Sequence, residues 1–166
     1  MKFESETSYV GPIDLALSVL GSEELFRKRA QAVKFGGEIS YSGDPNKHTV
    51  TAQIPGDEMP AAARSFLSGG VQLRVVGKAT TLDQPGVHGA SLSYDISVKG
   101  APASGSLHII LADAGATTPA KVTGEINVNV PFVGGRIEKA AIEQVGKVLG
   151  KDTNLVNEEI ARRLAG

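Results

Sequence analysis

The last third of the chain constrains its fold most. An alternating run passes through Val122, Gly124, Ile126, Val128, Val130 and Phe132 and stops at Pro131-Phe132-Val133-Gly134-Gly135. A long amphipathic helix is expected directly after it, with Ile137, Ala141, Val145, Val148, Leu149, Val156 and Ile160 on one stripe. A strand apolar on one face, feeding a helix apolar on one stripe, closes the two apolar surfaces on each other.

Strand and turn signals upstream supply the rest of a sheet. Lys2–Val10 alternates and is broken by Gly11-Pro12; Pro12 suits the first turn of a helix over Ile13–Leu20, which Gly21 stops. Ser22 reads as the N-cap of a second helix, with Leu25, Phe26, Ala30 and Val33 as its apolar side and Arg27, Lys28 and Arg29 as its solvated side. Strands are expected at Glu38–Ser42 and Lys47–Ile54, joined by Gly43-Asp44-Pro45-Asn46. After Pro60 a short helix is expected over Ala61–Leu67. Further strands are expected at Val71–Lys78, Ala90–Lys99, Ser106–Ala112 and Val122–Pro131, separated by Gln84-Pro85-Gly86, Gly100-Ala101-Pro102 and Asp113-Ala114-Gly115.

The predicted class is α+β: a seven-stranded curved antiparallel sheet around a long C-terminal helix, with two short helices after the first strand. Short connections make consecutive strands antiparallel neighbours. At about 4.8 Å per strand the sheet is roughly 30 Å wide, and a helix about 10 Å across covers it only if the sheet curls. A pocket is expected where sheet and helix diverge.

Composition narrows the function. The 166 residues are expected to form a single domain, 1–166. A net charge of −1 offers no electrostatic footprint for nucleic acid or an anionic membrane. The absence of cysteine removes disulfide and thiol chemistry and fits a reducing compartment. Met1–Glu6 has no apolar segment of a secretory signal, and Ile109–Ala112 is far too short to span a bilayer, so a soluble cytoplasmic protein is expected. With five Phe, three Tyr and no Trp against 20 Gly, a core of small side chains either packs closely or leaves a cavity.

Three segments carry a family resemblance: Ile54-Pro55 with Met59-Pro60 and Arg64-Ser65-Phe66-Leu67-Ser68-Gly69-Gly70; Lys99-Gly100-Ala101-Pro102-Ala103-Ser104-Gly105-Ser106-Leu107; and Val130–Lys139. With the element order, they make the chain resemble the START-like (SRPBCC, birch-pollen-allergen-like) superfamily, and within it an uncharacterised, mainly actinobacterial family. Ala79-Thr80-Thr81-Leu82 departs from that pattern, since relatives tend to carry a Trp there. The resemblance implies a helix-grip fold, a hydrophobic cavity and no catalytic residues to transfer.

Candidate chemistry is sparse. His48, His88 and His108 have no metal-ligand spacing, so neither metal nor cofactor is expected. His88 falls in a Gly-bounded turn and His108 points outward. Strand alternation also turns Arg74, Asp95 and Glu125 outward and leaves Asp83 in a loop, so no catalytic residue is assigned. Gly134-Gly135 is read as a sharp strand-to-helix turn in preference to an anion cradle. Tyr9, Tyr41 and Tyr94 face inward, where a hydroxyl either meets a ligand or finds a backbone partner.

The expected cavity wall comprises Ile39, Tyr41, Val50, Ala52, Ile54, Leu73, Val75, Leu92, Tyr94, Ile96, Leu107, Ile109, Ile126 and Val128, with Val145 and Leu149 from the helix. The preferred reading is a module that binds or carries a hydrophobic small molecule: a lipid, fatty acid, isoprenoid or polyketide. The alternatives are a cyclase- or dehydratase-type enzyme, or a protein-interaction module with a filled core. Titratable groups inside the pocket favour the enzyme; a pocket below about 300 Å³ favours the filled core.

Overall fold

The computed structural model of the protein describes residues 1–32, 36–59, 61–65, 67–84 and 87–166. Val33, Pro60, Phe66, Pro85 and Gly86, which enter the expected helices and turns, lie outside the described residues. The elements are β1 (Lys2–Tyr9), α1 (Ile13–Leu20), α2 (Glu23–Ala32), β2 (Ile39–Asp44), β3 (Lys47–Ile54), a 3-10 turn (Gly56–Glu58), α3 (Ala61–Arg64), β4 (Val71–Gln84), β5 (Val87–Lys99), β6 (Ala103–Ala112), β7 (Thr118–Val128) and α4 (Gly134–Ala165). The described strands form one antiparallel sheet, ordered β1-β7-β6-β5-β4-β3-β2.

Register aligns one face across the whole sheet. Tyr41, Val50, Val75, Ile96, Gly105 and Ile126 form one transverse row; Ala79, Leu92, Ile109, Val122 and Ser5 form another. Arg74, Asp95 and Glu125 lie on the opposite face, as the alternation requires.

Several boundaries differ from expectation. The β4–β5 hairpin is longer: Ala79–Leu82, Asp83 and His88 are in paired strand, not in a loop or turn. Asp83 and His88 are cross-strand partners, both exposed, with Nδ1 and Oδ1 3.3 Å apart. β6 starts at Ala103 and β7 at Thr118, and α3 ends at Arg64. β7 stops at Val128, so Val130 and Phe132 do not continue the strand. The Asn129 N–H makes a last in-register bond to the Pro102 carbonyl at 2.8 Å, but neither Pro102 nor Pro131 has an N–H to extend the ladder. Phe132 is fully exposed, with φ of +67°.

Packing is uneven along the sheet. At one end Ala16, Val19 and Leu20 of α1, Leu25 of α2, and Val156 and Ile160 of α4 bury against Leu92, Ile109, Leu111, Ala120 and Val122. At the other end Ile54, Leu73, Val75, Ile96 and Ile126 are only half-buried. With 32 residues, α4 spans about 48 Å at 1.5 Å per residue.

The tight end is held by a buried carboxylate. Glu159, 1% exposed, accepts hydrogen bonds from Lys28, from Arg162 Nε at 3.1 Å and from Arg163 Nε at 3.3 Å. The Arg162 hydrogen bond, opposed by burial and reinforced by Lys28 and Arg163, holds the carboxyl well below the usual carboxylate range. The folded value lies below the unfolded one. The stabilisation is therefore complete above about pH 4.3 and falls away as pH drops from there toward the folded value. Glu159→Gln is expected to cost about 1.5–3 kcal/mol at neutral pH. Urea unfolding across pH 2–7 checks it, because the variant's acid limb becomes shallower.

Candidate functional site

A cavity of about 370 Å³ lies between the β1–β7–β6 side of the sheet and α4. Leu107, Ile109, Val122 and Leu149 supply its apolar wall. Its polar lining is Ser5, Glu6, Thr7 and Tyr9 of β1, Arg29 of α2, Tyr94 of β5, and Asp152 and Thr153 of α4, with Gly150 beside them.

Of the expected lining residues, Tyr94, Leu107, Ile109 and Leu149 line this cavity. Val50 and Leu92 are buried on the same sheet face outside it. Ile39, Tyr41, Ala52, Ile54, Leu73, Val75, Ile96, Ile126 and Val128 are half-buried on that face, also outside the cavity, and Val145 is half-buried on α4.

The main departure from the sequence reading is Arg29, expected on the solvated side of α2. Its side chain is 27% exposed and grips Asp152, which is 22% exposed. Nε meets Oδ1 at 2.7 Å and Nη2 meets Oδ2 at 2.9 Å, a fork-to-fork pair. The guanidinium carbon also sits 5.3 Å from the Phe26 ring centroid. Burial works against the Arg29 charge, but Asp152 outweighs it and raises the pKa above the usual arginine value. The signal was helical spacing: Arg29 follows Leu25 by four residues, and Asp152 follows Leu149 by three. Both charges therefore lie on apolar stripes.

The tyrosines divide into two roles. The Tyr41 hydroxyl donates to the Gly21 carbonyl at 2.6 Å and the Tyr94 hydroxyl to the Leu20 carbonyl at 3.4 Å, so both cap the end of α1. Burial pushes the Tyr94 pKa above the ordinary phenol value. The Tyr9 hydroxyl has no protein partner among the described residues and lines the cavity. Burial, then the nearby Asp152 charge, pushes its pKa up to about 12 despite Arg29.

Next to the cavity, Phe26, Tyr41, His48 and Tyr94 form an aromatic cluster. His48 stacks on Tyr41 (5.8 Å, 14°) and meets Phe26 and Tyr94 at 5.5 and 5.6 Å. His48 is 1% exposed. Its Nδ1 lies 3.2 Å from the Asp44 carbonyl, which only accepts, so Nδ1 carries the proton and buried Nε2 is left without a partner. Gly77 makes the room: a Cβ there would lie 2.4 Å from His48 Nε2 and 2.6 Å from Tyr94. At the start of α4 a Cβ on Gly134 would lie 2.3 Å from the Val128 carbonyl oxygen, and Glu138 accepts the Val128 N–H at 2.9 Å. Close approach in a turn therefore accounts for that glycine.

A family model for proteins of unknown function matches residues 4–160. The chain belongs to this family, DUF2505. No curated protein matches it. The DUF2505 chain has the helix-grip fold of START-like structures. A START superfamily protein from Mycobacterium smegmatis superposes with a TM-score of 0.56 at 9% identity, covering 97% of each chain. The Zhui aromatase/cyclase from Streptomyces sp. R1128 gives 0.60 at 16% identity, covering 99% of this chain and 95% of that one. Norcoclaurine synthase from Thalictrum flavum, in complex with dopamine and hydroxybenzaldehyde, gives 0.53 at 12% identity, covering 98% and 87%. At these identities the likeness concerns the fold.

Two outcomes test the aromatic cluster. Gly77→Ala is expected to lose about 1–3 kcal/mol through overpacking, read by urea denaturation. Burial, opposed by the backbone carbonyls of Asp44 and Pro45, lowers the His48 pKa. The unfolded chain then holds a proton that the folded chain gives up, so stability falls as pH drops below about 6.5. His48→Leu removes that slope between pH 7 and 5, checked by thermal melts.

Proposed function

We propose that this protein binds or carries a small molecule with an apolar body in the cavity between its sheet and α4. The supporting observation is the cavity itself: about 370 Å³, apolar on one wall and polar on the other. That volume is above the lower bound of about 300 Å³ for ligand pockets and at the small end of their range. It weighs against a filled-core interaction module. Divided by about 30 Å³ per water, it holds on the order of a dozen water-sized groups. That suits a compact one- or two-ring compound or short isoprenoid better than a long-chain fatty acid. The cysteine-free sequence fits a cytoplasmic site of action.

An enzyme of cyclase or synthase type is the second reading. Arg29, Asp152 and Tyr9 favour it by lining the cavity, and two fold neighbours are such enzymes by name. Their state favours binding over acid–base work. Both Asp152 oxygens are taken by Arg29, and Tyr9 is pushed away from neutral pH. His48, whose unperturbed pKa is nearest neutrality, is not among the cavity-lining residues.

Filling the cavity tests the proposal. Leu149→Trp is expected to weaken binding of naphthalene-sized probes at least about tenfold, whereas Glu125→Arg on the outer face leaves binding unchanged. Equilibrium dialysis reads both, with melting curves to verify folding. Equal binding by the two variants and the native protein places the ligand elsewhere.

A further inference from the structure

The hydroxyl protons around the cavity can be traced. Thr153 donates to the Leu149 carbonyl at 3.1 Å. Its oxygen therefore accepts from Thr7, 2.8 Å away, and both protons stay inside the protein. Tyr94 spends its proton on the Leu20 carbonyl. Arg29 gives Nε and one Nη2 hydrogen to Asp152, and its Nη1 has no acceptor among the described residues. The hydroxyls of Tyr9 and Ser5 likewise have no partner there. None of these atoms is sealed from solvent or ligand, for among the described residues His48 Nε2 alone is both buried and unpartnered. The polar wall is thus a set of unspent donors: Arg29 Nη1, Tyr9 OH and Ser5 OH.

Its charge is already balanced. Asp152 neutralises Arg29 at hydrogen-bond distance, and the Glu6 side chain has the outward parity of β1, on the face of Glu125. An anionic ligand would meet repulsion from Asp152 and an arginine whose charge is already compensated. A cationic ligand would meet the Arg29 guanidinium, while the Asp152 carboxylate, already paired with it through both oxygens, has its charge compensated. A neutral oxygen acceptor fits the donors and brings no net charge.

We propose that the cavity selects a neutral carbonyl compound, a ketone or its equivalent on a compact apolar body, with the carbonyl oxygen received by Arg29 Nη1 and the Tyr9 hydroxyl. This rests on the binding reading given above. Tyr9 stays protonated across the physiological range and so remains a donor.

Four size-matched naphthalenes test it by equilibrium dialysis: 2-acetylnaphthalene (neutral ketone), 2-isopropylnaphthalene (apolar), 2-naphthoate (anion) and 2-naphthylmethylammonium (cation). The ketone is expected to bind tightest, at least about tenfold above either ion. The double variant Arg29→Met, Asp152→Leu replaces the ion pair by apolar groups and is expected to lower the ketone-to-hydrocarbon affinity ratio about tenfold while hydrocarbon binding persists. Tyr9→Phe, which removes a single oxygen, is expected to lower the same ratio about three- to tenfold, and it keeps the test open where the double variant does not fold. Tightest binding by an ion, or a ratio unchanged by Tyr9→Phe and by any folded double variant, overturns the carbonyl assignment and leaves the binding reading standing. Failure of all four probes to bind the native protein overturns the binding reading and this proposal with it.

Discussion

Glu159 fixes how the long helix meets the rest of the molecule. A carboxylate without water around it is costly unless charge and hydrogen bonds surround it. Here the compensation comes from Lys28 of α2 and from Arg162 and Arg163 one turn further along α4. The C-terminal half of α4 is thereby locked to α2 and rests on the most buried part of the core. A sheet roughly 30 Å wide and a helix about 10 Å across match at one end only. Once that end is locked, the mismatch accumulates along the helix and opens as the cavity.

The two ion clusters of α2 serve different ends. Lys28 and Arg29 are consecutive, yet they reach Glu159 and Asp152, two helical turns apart on α4, about 10.5 Å. Glu159 receives three cations and is enclosed, so it acts as a fastener. Asp152 receives one and borders the cavity. There the ion pair keeps a guanidinium fixed in place, its charge cancelled and some of its donors still free.

The period-two alternation made the sheet faces legible: Arg74, Asp95 and Glu125 are outside, and the row from Tyr41 to Ile126 is inside. Element order likewise led to the helix-grip fold. Strand ends were less legible because they depend on tertiary partners. β7 ends where its partner on the neighbouring strand is Pro102, which accepts from Asn129 but has no N–H to return, and that pairing is not written in β7 alone. The polar wall was obscured by composition, since Arg27-Lys28-Arg29 looks like a solvated face. The periodicity held the information: Arg29, Asp152 and Glu159 each lie three or four residues from an apolar stripe residue. The burial of His48 was hidden for a different reason. Its burial depends on Gly77 opposite it in β4, and pairing of β3 with β4 is not written in either segment alone.

Gly150 lies beside the cavity, and Gly146 precedes it by one turn. A Cβ at either position would meet open space, so packing does not require glycine there. Each costs about 1 kcal/mol of helix propensity relative to alanine. Mechanically, α4 is a beam clamped at both ends, by the Val128–Glu138 hydrogen bond and by the Glu159 cluster. Its most compliant section lies over the void. Bending there strains no strand ladder and neither clamp, and the contacts that oppose it beside Gly150 are the Thr7–Thr153 hydrogen bond and the Arg29–Asp152 pair.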